Sequence, residues 1–254
     1  MRTTLFLCLF AIACNQPTPA PTPNSQPLKS YYYPLANLKE GLVYEYVNDS
    51  TKQPDHYWFF KTVEDEAGNW FLVSTRYNNQ FAQDQLVREQ VFANGTVCQD
   101  YRFFTENPST HQTDVFNAQL IQTTMFAFDL PIKPNEVHRF QIQFDLPSYD
   151  PANKENLLMN YKITRDRAFA KFDTVEYQDK KLPAAIFNNL DYMAIKDSLK
   201  GGAWTIDSSR VSEQYVQNIG LVKLTKQLPS GQISSVKLAK QYTMEEFLTI
   251  AKIK

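Results

Sequence analysis

Leu86-Val87-Arg88-Glu89-Gln90-Val91-Phe92-Ala93 leads into Asn94-Gly95, and Thr96-Val97-Cys98-Gln99-Asp100-Tyr101-Arg102-Phe103-Phe104 leads out. Both flanks are short runs of β-branched, aromatic and polar residues, the composition of half-buried strands. An Asn-Gly pair between two such runs is a strong hairpin signal. Both residues tolerate positive φ, and so fit the tight turns that match strand twist. The stretch predicts an antiparallel pair, with Thr96-Val97-Cys98-Gln99-Asp100 in the second strand and Cys98 packed as a small apolar side chain.

The same pattern extends in both directions. Upstream, residues 42–47, 57–63 and 70–77 read as strands, with Glu66-Ala67-Gly68-Asn69 as a turn before the third. In that third run Phe71, Val73, Thr75 and Tyr77 share one face and Ser74 and Arg76 the other. Such alternation predicts a sheet with one wet side. Downstream, residues 105–114 are polar and read as loop. Residues 120–130 form an apolar run closed by Pro131-Ile132-Lys133-Pro134. Phe140-Gln141-Ile142-Gln143-Phe144 alternates with period two, which places Phe140, Ile142 and Phe144 on one strand face. Residues 145–156 carry Pro147 and Pro151 and read as a loop, with a possible internal boundary near 146–156.

Further strands are expected at 159–164, 169–177, 184–190, 209–216, 218–224 and 233–242. Turns fall at Gln178-Asp179-Lys180-Lys181 and Pro229-Ser230-Gly231, and Gly201-Gly202 breaks the chain. No long 3.6-residue periodicity precedes Thr243. Thr243-Met244-Glu245-Glu246 then reads as a capping box, with Tyr242 and Phe247 as its hydrophobic staple, and predicts a short helix from about Met244. The expected fold is all-β: curved antiparallel sheets forming an open barrel or sandwich, with a short C-terminal helix.

Composition narrows the function classes. The chain has 254 residues and a net charge of −1, so it lacks the basic footprint of a nucleic-acid binder. Its 18 Phe, 14 Tyr and 3 Trp supply a large core, while only 7 Gly argue against a glycine-rich phosphate loop. The N-terminus reads as an address. Arg2 precedes the apolar run from Leu5 to Ile12, which is far short of the roughly 20 apolar residues of a spanning helix and fits a secretory leader. Ala11-Ile12-Ala13-Cys14 resembles the lipobox of bacterial lipoproteins, with Ala11 where leucine is usual. That resemblance implies cleavage before Cys14 and a lipid on its thiol. A Pro-rich stretch, Asn-Gln-Pro-Thr-Pro-Ala-Pro-Thr-Pro-Asn-Ser-Gln-Pro from Asn15 to Pro27, then favours extended polyproline II geometry. The division expected is 1–13 signal peptide, 14–27 tether and 28–254 a single antiparallel β domain. Asn15 and Gln16 follow the cysteine without an aspartate, so the expected place is the outer membrane, facing the periplasm.

A search for chemistry along the chain finds little. His56, His111 and His138 are far apart and in no ligand spacing. Ser234-Ser235-Val236-Lys237 contains Ser-x-x-Lys without its companion motifs. Glu64-Asp65-Glu66 reads as an acidic hairpin tip, and Asp145, Asp150 and Glu155 match no calcium-loop spacing. The aromatic runs Tyr31–Tyr33 and Tyr57–Phe60 suit sheet packing or a ligand groove. No catalytic residue, metal or cofactor is assigned. The reading is a membrane-held, non-catalytic binding or structural protein whose ligand is apolar, glycan or an envelope partner. The alternative is an envelope hydrolase whose site assembles only in three dimensions.

Tyr32-Tyr33-Pro34-Leu35 followed by Gly41-Leu42-Val43-Tyr44-Glu45-Tyr46 resembles the opening of a group of uncharacterised secreted bacterial proteins, many of them Bacteroidetes lipoproteins. Tyr215-Val216-Gln217-Asn218-Ile219-Gly220-Leu221-Val222-Lys223 resembles their C-terminal Gly-Leu-Val-Lys strand. Phe172-Asp173-Thr174-Val175 to Ala184-Ala185-Ile186 resembles their penultimate hairpin. The resemblance implies curved antiparallel sheets and brings no catalytic residues. Asp49-Ser50-Thr51, Asp173-Thr174-Val175 and Asp197-Ser198-Leu199 also resemble sites O-glycosylated in Bacteroidetes envelopes.

Overall fold

The computed structural model describes residues 27–107, 110–131, 136–150, 155–197 and 203–253. Two short 3₁₀ turns, Lys29–Tyr31 and Leu35–Leu38, precede the first strand. The strands are β1 (Leu42–Asn48), β2 (Pro54–Glu64), β3 (Trp70–Asn78), β4 (Gln83–Phe92), β5 (Gly95–Glu106), β6 (Thr113–Asn117) and β7 (Gln119–Ala127). They continue with β8 (Val137–Asp150), β9 (Glu155–Tyr177), β10 (Lys180–Asp197), β11 (Thr205–Val216), β12 (Gly220–Gln227) and β13 (Ile233–Tyr242). One helix, α1 (Met244–Ile253), follows. Every pairing is antiparallel, in the order β4-β3-β2-β1-β13-β12-β11-β10-β9-β8-β7-β5, and β5 also pairs with β4. The expected curved sheet is therefore a closed barrel of 12 strands. β6 is a short extra strand on the far end of β5, within a region partly read as loop.

The hairpin that signalled the fold is the one that closes it. Its turn sits one residue earlier than the Asn-Gly reading: Phe92 pairs with Gly95, so Ala93 and Asn94 turn the chain. Neither Asn94 nor Gly95 adopts positive φ. Gly95 is needed for a different reason. It faces β7, where an added Cβ would lie 2.4 Å from the Phe126 carbonyl oxygen. The left-handed hairpin turn is at Gln178 and Asp179, with φ of 50° and 59°, between the paired residues Tyr177 and Lys180.

Eight strands make a barrel whose side chains just fill it, so a wider one needs large side chains or an inserted segment. This chain uses both. Tyr44, Tyr46, Phe60, Leu72, Phe126, Phe187 and Tyr215 point inward, and Leu28, Tyr32 and Leu38 of the N-terminal segment complete the same core. Toward the other end Phe103, Phe140, Ile142 and Phe144 form a second cluster, and Trp58 touches both.

The face assignment of β3 differs from the simple wet-side reading. Ser74 pairs with Phe60 and Val87 and faces the interior, where it is buried. Phe71 lies on the outer wall under the Arg88 guanidinium, 3.9 Å from the ring centroid. Tyr77 packs on Phe247 of α1 at 5.2 Å. The capping box forms as read: the Thr243 N–H donates to Glu246 at 2.8 Å and the Glu246 N–H to Thr243 Oγ1 at 3.2 Å. Tyr242 and Phe247 share one buried cluster, as the staple requires.

The two strands expected at 159–164 and 169–177 are one, β9, because Arg165 and Arg167 turn inward rather than breaking the strand. Residues 145–150, read as loop, continue β8, and the β8–β9 register runs unbroken from Val137↔Ala168 to Asp150↔Glu155.

Candidate functional site

Two parts of the barrel concentrate chemistry: a sealed interior network and an open depression on the outer wall. The interior network begins at the end closed by the N-terminal segment. Leu28 donates its N–H to the Phe128 carbonyl at 2.9 Å and Asn218 donates to Ser30 at 2.8 Å, which pins the segment across the barrel end. Tyr33 stacks against Phe60 at 4.1 Å between centroids. The Tyr32 hydroxyl donates to Glu89 at 2.9 Å, and Thr96 donates to the same Glu89 oxygen at 2.6 Å. Burial pushes the Glu89 carboxyl above its usual range, and the two hydroxyl donors and Arg167 offset only part of that.

Deeper in, Glu213 is 1% exposed and pairs with Arg165 at 2.9 Å and Arg167 at 3.0 Å. Arg165 also grips Asp191 bidentately at 2.8 and 2.6 Å. Cross-strand register produces this cluster: Arg165 opposes Asp191, Arg167 opposes Asn189, and β11 brings Glu213 alongside. Burial raises the Glu213 carboxyl, but the two guanidinium groups outweigh it and hold the pKa below the usual range. The Asn189 amide lies near enough to favour the ionised form, though outside hydrogen-bond geometry.

Glu213 thus stays charged and paired near neutral pH, and Glu89 is held by two hydroxyl donors beneath the N-terminal segment. The Arg165–Asp191–Glu213–Arg167 network ties β9, β10 and β11 together across the barrel interior. Its members were missed in the sequence. The signal available was charge at alternate positions, Arg165 and Arg167, between the strand-like runs 159–164 and 169–177.

The outer wall carries charge: Arg88, the Arg139–Asp166 pair at 2.6 Å, and Lys223 and Lys237 around Asp49 at 2.8 and 3.3 Å. Aromatic inside and charged outside is the inverse of a membrane-spanning barrel, whose outer band is apolar. No helix among the described residues is long and apolar enough to cross a membrane. On this wall, at the end opposite the N-terminal segment, lies a depression of about 420 Å³. Leu190, Ser208, Arg210, Gln227, Leu228 and Pro229 line it.

The residues weighed in the sequence fall apart in space. Cys14, the leader and the tether lie outside the described residues apart from Pro27. His56 stacks on Tyr46 at 5.0 Å and contacts Asp55 at 2.7 Å, whereas His111 sits beside Glu106 at 2.7 Å. His138 borders a water-sized gap next to Arg167. Among the described residues no three His, Cys, Asp or Glu side chains are placed to hold a metal.

Ser234 and Lys237, three apart on β13, point to opposite faces, so the Ser-x-x-Lys spacing places no base beside the hydroxyl. Asp65 shapes its own turn by accepting from the Ala67 and Asn69 N–H groups at 3.0 and 2.8 Å. Asp145 accepts from the Asn160 amide. Cys98 is buried, and burial pushes its thiol up to about 12. Tyr31–Tyr33 seal the barrel end rather than lining a groove. Ser50 and Thr174 are exposed, and Ser198 lies outside the described residues.

No protein-family model matches the chain, and no curated protein sequence is similar to it. Two solved structures are similar. One is a "putative lipoprotein" from Parabacteroides distasonis, 11% identical, covering 82% of this chain and 95% of that one, with a TM-score of 0.46. The other is a "putative exported protein with YmcC-like fold" from Bacteroides fragilis, 12% identical, covering 80% and 94%, with a TM-score of 0.47.

Proposed function

We propose that this chain is a lipid-anchored protein of the bacterial envelope with a non-catalytic binding role. Residues 1–13 are removed, Cys14 carries the lipid, and 14–27 tether a single β domain formed by 28–254. The observation that carries the reading is the filled barrel. Its lumen is occupied by aromatic side chains, paired charges and the N-terminal segment, which leaves the outer wall and the far rim as the working surface.

The described chain begins at the sealed end, where Leu28 is docked, and the depression lies at the opposite end of the barrel. A stable anchor takes more than one acyl chain, since each buried CH₂ adds only about 0.8 kcal/mol. A diacylglyceryl cysteine meets that requirement. With no aspartate after Cys14, the outer membrane is the proposed site, on its periplasmic face.

The test is membrane fractionation of the wild type and Cys14→Ala, with and without inhibition of the lipoprotein signal peptidase. The wild type is expected in the outer-membrane fraction with an acylated N-terminus, and Cys14→Ala in the soluble fraction. A processed Cys14→Ala protein that stays in the membrane like wild type would refute the anchor.

A further inference from the structure

On the outer wall, β11, β12 and β13 present three rows of cross-strand partners. Arg210 faces Gln227, which faces Ile233. Ser212 faces Thr225, which faces Ser235. Gln214 faces Lys223, which faces Lys237. Direct partners in a sheet share a face, so these nine side chains share the outer face of the wall. It is rich in hydroxyls and amides, and Thr225 and Ser235 are within 3.1 Å of each other. Its charge is positive. Asp49 is shared by Lys52, Lys223 and Lys237, so one carboxylate meets three ammonium groups and leaves an excess of cation. At the other end of the surface, the guanidinium of the exposed Arg210 has no ion-pair or hydrogen-bond partner among the described residues.

The depression sits at the Arg210 end. It combines that guanidinium with the Ser208 hydroxyl, the Gln227 amide and the aliphatic flanks of Leu190, Leu228 and Pro229. Tyr192 is the cross-strand partner of Ser208 and adds a ring on the same face. Its volume is in the range of small-ligand sites, about 300–1,000 Å³. Arg210 and Gln214 are four residues apart along β11, so the Arg210 row and the Lys223–Lys237 row are about 13 Å apart along the backbone at about 3.3 Å per residue.

We propose that this wall binds an acidic glycan, with one carboxylate-bearing sugar seated in the depression against Arg210 and the chain continuing across Ser212–Thr225–Ser235 to the lysines. The ligand chemistry follows from the surface. Guanidinium pairs bidentately with carboxylate. Hydroxyl and amide side chains match sugar hydroxyls, and aliphatic side chains cover a sugar's C–H face. Basic side chains on rows about 13 Å apart along the strands suit charges repeated along a polymer. The proposal rests on the non-catalytic binding role and names its ligand class.

The experiment titrates full-length protein in detergent with galacturonate and glucuronate tetramers. The methyl-esterified galacturonate tetramer is the neutral control and a glutamate oligopeptide the acidic control. At least one acid tetramer is expected to bind, with the ester about tenfold weaker or more and affinity falling between about 50 and 300 mM salt. Arg210→Ala and Lys223→Gln should each weaken it about tenfold, and Lys180→Gln, at the other end of the barrel, should leave it unchanged. Failure of both acid tetramers, equal binding of the ester, or an Arg210→Ala protein with full affinity would overturn the proposal. Equal binding of the glutamate peptide would do so too, and would reassign the surface to acidic polypeptide. Fractionation of Cys14→Ala reads the anchor independently of any of these results.

Discussion

Gly220 lies under the ring of Tyr33: a Cβ at position 220 would stand 2.5 Å from Tyr33 Cδ1, and the residue has φ of +100°. The contact joins the Tyr-Pro-Leu opening to the Gly-Leu-Val-Lys strand, two stretches separated by most of the described chain. Gly220→Ala is expected to cost about 1–3 kcal/mol from overpacking, plus the strain of a left-handed backbone. In a Tyr33→Ala background the steric part should vanish and the backbone part remain. Urea unfolding of the two single variants and the double variant measures this. An identical cost in both backgrounds would show that the ring is not what demands glycine.

At the closing hairpin, turn chemistry and sheet closure make opposite forecasts. A left-handed Asn-Gly turn would make Asn94 sensitive to substitution. In the structure Asn94 has an ordinary backbone, whereas a Cβ on Gly95 would meet the Phe126 carbonyl. Asn94→Ala should therefore change stability by less than about 0.5 kcal/mol, as a surface substitution does. Gly95→Ala should loosen the β5–β7 pairing, seen as faster amide exchange at Thr96 and Val97.

The two buried glutamates should respond to pH in opposite senses. Glu213 has a depressed pKa, so its contribution is present above the unfolded-state value near 4.5 and is lost as pH falls through the lower folded value. Glu213→Gln leaves Arg167 without its buried partner and should cost about 3–5 kcal/mol at neutral pH. Glu89 has a raised pKa, so the folded state holds its proton more tightly and loses stability as pH climbs from near 4.5 through the folded value. Glu89→Gln keeps an acceptor for Tyr32 and Thr96 without the charge. It should raise Tm above that range, and the gain should shrink to little near pH 4. Thermal melts from about pH 4 to 8 would settle both. A pH-independent gain for Glu89→Gln would mean that ionisation is not the cause.

Cys98 is 1% exposed and its thiol is pushed up to about 12, first by burial and then by the nearby Glu89 charge. A thiol-specific disulfide reagent should leave it unmodified in the native protein at neutral pH and label it fully in denaturant. Rapid native labelling would place the thiol at a reachable surface.

Strand content, the closing hairpin and the capped helix were legible in the sequence because each is a local property. Alternation along Phe140–Phe144, β-branched and aromatic runs between turn residues, and the Thr243–Glu246 box act within a few residues. Closure was not legible, because the β4–β5 hairpin is local, whereas β1 meets β13 only when sheet curvature brings the two ends of the chain together. The same holds for which face of a strand is wet. Ser74 and Arg76 looked like a solvent side, yet a barrel has an inside for them to occupy. The alternating charges Arg165 and Arg167 have meaning only once register sets Asp191 and Glu213 beside them. Likewise Tyr31–Tyr33 read only as an aromatic run suited to sheet packing or a ligand groove. That they seal one end of a barrel depends on a lumen too wide for its wall side chains alone, which is a property of the strand number and of no single stretch.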